Sequence, residues 1–207
     1  GYTFKMFCED DDLHLRYKLA GFEKKVSSAH VYHFVSKTSR TTKDSHLIEH
    51  NSNKNFIRKW GSRNPTIKYN IGFVVKNCNL QALEYFEPLC DRIYIEDEMQ
   101  VLITHYIEKE QKNTQYDLLK RIMVIGHNDP IGENDIIIEF DYNRLNTESW
   151  DTLMQLPNII EDNGSIGKFE LDIFTITINS ITEYQNDLIT LSTNSYLYKN
   201  RNYGNKI

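Results

Sequence analysis

The sequence predicts an α/β protein in two pieces, the second built on a mostly parallel sheet. Two observations carry the prediction. Strand-like and helix-like segments alternate from residue 71 onward, the pattern of βαβ units. Asparagine usage marks a boundary, with none in residues 1–50 and twenty in residues 51–207. The change falls at HNSNKNFIRKWGSRNPT (50–66), a polar stretch with Gly61 and Pro65 that reads as a linker around a short helix. The expected organisation is a first domain piece over 1–49, a linker over 50–65 and an α/β domain over 66–207.

In the first piece, the spacing predicts a helix over 10–20. Leu13, Tyr17 and Ala20 share one face, and Gly21 stands where a C-terminal cap belongs. FEKKV (22–26) and AHVYHF (29–34) read as strands, followed by the basic, hydroxyl-rich loop SKTSRTTK (36–43). In the second piece, IGFVVKN (71–77), DRIYIED (91–97) and DIIIEFD (135–141) read as strands. Helices are predicted over 79–90 with Asn79 as cap, over 98–111, over 116–124, and over 147–156 with Thr147 as cap. FELDIFTITIN (169–179) alternates along its length and reads as one long strand.

Composition narrows the function classes. Apolar residues at 40% and charged residues at 26% describe an ordinary globular chain. A net charge of −5 gives no footprint for general nucleic-acid binding. No apolar run approaches the ~20 residues of a membrane span, and no signal peptide is visible. Cys8, Cys78 and Cys90 lack paired spacing, so free thiols in a reducing, cytoplasmic setting are expected. Heavy use of Asn, Ile, Lys and Tyr resembles coding from an AT-rich genome, as in some large DNA viruses, their phage analogues or certain parasites; if viral, the setting is host cytoplasm or virion.

Glu9, Asp10, Asp11 and Asp12 stand in succession at the predicted helix start. Acids there meet free backbone N–H groups and the positive end of the dipole, each contributing about 0.3–1 kcal/mol. That justifies one or two acids. Four in a row raise each other's pKa unless a cation or solvent relieves them, so helix decoration and proton or cation chemistry both stand at this point. Arg16 is placed to pair with Asp12 across one turn.

The spacing around the acids adds a resemblance. Glu9-Asp10-Asp11-Asp12-Leu13, Arg16, Ala20-Gly21-Phe22 and Tyr32-His33 follow in the order of an acidic motif, a helix, a turn and a strand ending in histidine. Over about residues 8–45 the chain resembles the C-terminal part of the catalytic domain of glycosyltransferase family 2. The resemblance implies a GT-A, Rossmann-like fold and inverting transfer of a sugar from a nucleotide-sugar donor to a glycan or protein acceptor. It implies Glu9 or Asp10 as the general base for the acceptor hydroxyl, with Asp11 and Asp12 on the acceptor side. It also implies Mn²⁺ or Mg²⁺ on the leaving diphosphate, with His33 as a metal ligand. Beyond His33, Lys37, Ser39 and Arg40 have the charge and donors to hold that diphosphate. The family's nucleotide-binding half belongs before the acidic motif, so the chain is expected to be a piece of a longer enzyme.

Residues 66–207 are expected to form an accessory module that binds acceptor, forms an oligomer or holds a second activity. The other reading of the whole is a non-catalytic binding or virion-associated protein with a degenerate transferase motif. A third is a nuclease-like or nucleotide-modifying module, which a metal site among Asp97, Glu139 and Asp141 would support. The loop GHNDPIGEND (126–135) lacks the spacing of a calcium-binding hand and is expected at the surface.

Overall fold

The computed structural model describes residues 7–19, 22–23, 25–30, 42–61, 69–97, 100–126 and 131–181. The chain divides into two compact units, Gly1–Phe56 with Asp187–Ile207, and Ile57–Asn186. The division falls inside a helix. Residues 50–60, expected in a linker, belong to the 16-residue helix Ser45–Trp60 (α2).

In the first unit, helix α1 runs Glu9–Leu19. Leu13 and Tyr17, expected on its apolar face, are 46% and 48% exposed. Tyr17 instead stacks edge-on against Phe22 at 5.9 Å. The strands expected over 22–26 and 29–34 do not form at Phe22, Glu23, Lys25, Val26, Ala29 or His30, all of which are exposed. A strand needs a neighbour for its N–H and C=O groups, and the described residues offer none there. Residues 31–34 lie outside the described residues.

The second unit is a mixed α/β fold on a six-stranded sheet. Its elements are β1 (Ile71–Lys76), α3 (Leu80–Phe86), β2 (Arg92–Ile95), α4 (Val101–Glu110), α5 (Leu118–Arg121), β3 (Ile122–Val124), β4 (Ile136–Asp141), α6 (Thr147–Asn163), β5 (Gly167–Leu171) and β6 (Phe174–Ile178). The strand order is β3-β2-β1-β4-β6-β5. β1 to β4 are mutually parallel, and β6 opposes both β4 and β5, so five of the six strands run the same way.

Several boundaries differ from the sequence expectation, each for a physical reason. Asn79 caps α3 as expected, its side chain accepting from Ala82 N at 2.9 Å. Pro88 then lacks an N–H for the helix, and the chain tightens to a 3₁₀ turn over Glu87–Leu89. The helix expected over 116–124 stops at Arg121. Ile122 pairs with Ile93 of β2, and the β-branched Ile122 and Val124 enter a third parallel strand. α6 starts one residue earlier in its capping, with Asn146 as cap in place of Thr147, and continues through Pro157 to Asn163. Leu153, Leu156 and Ile160, buried on one face, hold both halves of α6 to the core. At its end the position of Gly164 leaves no room for a Cβ beside the Ile160 carbonyl.

The run 169–179 is a hairpin, not a single strand. Asp172, at φ 54°, turns the chain, a conformation Asp tolerates through its short polar side chain. The turn resets the alternation, so that Phe169 pairs with Ile176 and Leu171 with Phe174.

One sheet face carries the main core. Phe73, Val75, Ile93, Ile95, Ile138 and Phe140 pack there with buried residues of α3, α4 and α6. The other face holds a smaller cluster of Val74, Tyr94 and Ile137 with Ile125 and Ile131. Part of the loop expected at the surface lies there. Tyr94 Oη donates to Asn134 Oδ1 at 2.7 Å, and a Cβ on Gly72 would come within 2.6 Å of that oxygen. Asn134 is accordingly buried. No helix among the described residues is long and apolar enough to cross a membrane.

Candidate functional site

The acidic run enters its helix on a strained turn. Phe7 and Cys8 both adopt positive φ, 70° and 62°, which non-glycine residues populate at a cost of about 1–3 kcal/mol each. Cys8 is buried, and its Sγ donates to Asn53 Oδ1 at 3.1 Å. Its carbonyl accepts from Asp12 N at 2.9 Å and so starts the helix. Asp12 turns inward, 7% exposed, and pairs with Arg16 Nε at 2.8 Å. Glu9, Asp10 and Asp11 are exposed around the same turn. The four acids therefore divide by geometry: one holds the turn, and three face solvent with the helix N–H groups behind them.

The remaining residues singled out in the first unit, His33, Lys37, Ser39 and Arg40, lie outside the described residues. His14 and His30 are exposed. Among the described residues, no three His, Cys, Asp or Glu side chains converge closely enough to hold a metal ion. Glu9, Asp10 and Asp11 point in different directions around α1, because successive helical residues are turned by about 100°.

The second unit places a polar row at the carboxyl end of its sheet. Lys76, the last residue of β1, lies opposite Asp141, the last of β4, and Val75 lies opposite Ile95 of β2. Asn77 follows β1 at φ 53°, and Asp97 follows β2. Asn77 Nδ2 donates to Asp141 Oδ1 at 2.9 Å, which also accepts from Asn143 N at 2.9 Å. These two hydrogen bonds hold the Asp141 carboxyl below its ordinary range. Asp97 Oδ2 accepts from Ile103 N at 3.2 Å in the first turn of α4. Burial, with Asp97 adding to it, pushes the Cys78 thiol up to about 12. Glu139 lies between Val74 and Thr175 on neighbouring strands and is part-exposed.

The sequence points to Asp97, Glu139 and Asp141 but not to Asn77, and it presents Cys78 only as a thiol. A polar residue directly after an apolar strand and before a capped helix was the available signal. Compared with known proteins, the chain matches no family model, and no curated protein or solved structure matches it significantly.

Proposed function

We propose that the first unit carries the C-terminal part of a GT-A-type catalytic domain of an inverting, family 2-like glycosyltransferase. The observation that supports it most is the turn before α1. Two strained residues, Phe7 and Cys8, precede Glu9 and Asp10, which are exposed and free of the ion pair that occupies Asp12. Strain of this kind gathers at sites where a side chain must be aimed. In the proposed step the acceptor hydroxyl oxygen bonds to the anomeric carbon of the donor sugar. Its proton passes to Glu9 or Asp10, and the bond to the nucleotide diphosphate breaks. Asp11 stands beside the acceptor, and Asp12 with Arg16 keeps the turn in place. His33, with Mn²⁺ or Mg²⁺, and Lys37, Ser39 and Arg40 belong to the same proposal on the leaving-group side.

A second reading has its own observation: all four acids lie in the first turn of a helix, where they contribute to stability without any chemistry. It makes the chain a non-catalytic binding protein. The two are separated in the full-length protein by Glu9→Gln and Asp10→Asn, tested for sugar transfer and for folding by circular dichroism. A transferase loses at least about 10²-fold in turnover in one of them with its fold intact, the range expected for removal of a general base. Full turnover in both variants sinks the transferase reading.

A further inference from the structure

We propose that the second unit binds a ligand bearing vicinal hydroxyls, the ribose of a nucleotide or a sugar ring, at the carboxyl ends of β1 and β4. From β1 the chain moves one way, to β2 and β3, and then returns to place β4 on the opposite side of β1. The reversal makes a topological switch point, and in open α/β sheets ligands bind in the crevice outside the carboxyl ends at that point.

The side chains at the switch point fit this class of ligand. Asn77 and Asp141 come from the two strands that flank it and are joined by one hydrogen bond through Asp141 Oδ1. Among the described residues, Asp141 Oδ2 and Asn77 Oδ1 take no protein hydrogen bond. Two neighbouring acceptors, one of them ionised, suit two neighbouring hydroxyl donors. Asp97 stands just after β2, the strand next to β1, with one oxygen engaged by Ile103 N and the other without a partner among the described residues. An acid at the end of β2 is where doubly wound sheets meet a ribose hydroxyl.

The β1–α3 turn argues against recognition through phosphate. It has no glycine-rich sequence, α3 is 7 residues long, and Asn79 already takes the Ala82 N–H. Lys76 and Arg144 stand close enough to Asp141 to favour its charged form, so the row is not an isolated acidic patch. The inference rests on the second unit and is independent of Glu9 and Asp10.

The test titrates the full chain with uridine monophosphate, 2′-deoxyuridine monophosphate and methyl α-glucoside, read by ligand-observed NMR and calorimetry. Uridine monophosphate or the glucoside is expected to bind at about 1 mM or tighter. Which of the two binds tells a ribose ligand from a glycan. If the nucleotide binds, loss of its 2′-hydroxyl weakens it about tenfold. Asp141→Asn, which keeps the shape of the site, weakens whichever probe binds by about tenfold with the melting temperature unchanged. The readout is binding that responds to Asp141 in the second unit and not sugar transfer, so failure here is distinct from failure of the transferase reading. The proposal is overturned if neither probe binds at about 10 mM, if the ribonucleotide binds and its deoxy form binds as well, or if Asp141→Asn binds like the parent chain.

Discussion

Arg58 Nη2 lies 2.6 Å from Glu87 Oε2, and both side chains are completely withdrawn from solvent. Glu87 is the hub of a buried polar cluster. It also accepts from Arg121 Nε at 2.6 Å and from Tyr106 Oη at 2.9 Å, while Arg58 reaches Glu110 at 2.9 Å. Arg121 further donates to the backbone carbonyls of Glu87 and Cys90. The cluster ties the last turn of α2 to the 3₁₀ turn, α4 and α5. Removing one member strands the others without partners in a dry environment, which costs about 3–5 kcal/mol. Glu87→Gln is therefore expected to lower the unfolding free energy by that amount in urea denaturation. Glu110→Gln, which leaves the Arg58–Glu87 contact intact, is expected to cost less. A loss below about 1 kcal/mol for Glu87→Gln would show that the cluster does not hold the unit together.

The same carboxylate sets an acid limit. Burial favours its neutral form, but the guanidinium groups of Arg58 and Arg121 override that and lower its pKa from 4.5 to about 2. The folded state thus holds this proton more weakly than the unfolded chain. The stabilisation is present above the ordinary carboxylate pKa and is lost as pH falls from about 4.5 toward 2. Melting temperature measured from pH 7 down to pH ~2.5 is expected to drop in this window. In Glu87→Gln the drop over the window is expected to be shallower. An equal slope in both proteins would assign the acid sensitivity to other groups.

What the sequence disclosed depended on how local each feature is. β1 and β4 were legible because their apolar runs are set by burial along the strand itself. β3 was not: LLKRIMV reads as helix until β2 supplies a partner, a contact 29 residues away in sequence at Ile93 and Ile122. The hairpin was hidden because the apolar alternation runs on across Asp172 to Ile173 and shifts phase only at Ile173-Phe174, just after the positive φ of Asp172. The Asp12–Arg16 pair followed from helical spacing, whereas the strain at Phe7 and Cys8 and the hold of Asn53 on Cys8 could not. Asn77 and Asp141 are 64 residues apart, and only strand order brings them together.

Cys78 is expected to be inert. Its thiol, half-buried, is pushed up to about 12, first by burial and then by Asp97, so near pH 8 it holds far less thiolate than an ordinary cysteine. Cys8 and Cys90 are buried. Iodoacetamide followed by peptide mass spectrometry is expected to label Cys78 far more slowly in the native chain than in urea. Because burial is the larger cause, Asp97→Asn should speed the reaction only modestly. Rapid native labelling of Cys78 would show that its surroundings open readily.

The start of α6 separates two neighbouring residues by role. Asn146, in extended conformation at φ −137°, accepts from Ser149 N through its side chain at 3.0 Å, while Thr147 is the first helical residue and is exposed. An unsatisfied N–H in the first turn is what a cap removes, and replacing Asn by Ala at such a position costs about 0.5–2 kcal/mol. Asn146→Ala is therefore expected to lower the melting temperature by about 2–4 °C per kcal/mol in a protein of this size. Thr147→Ala is expected to change it little, because Thr147 contributes no cap and alanine is the better helix former. A larger loss for Thr147→Ala than for Asn146→Ala would move the cap back to Thr147, and with it the end of the loop that follows Asp141.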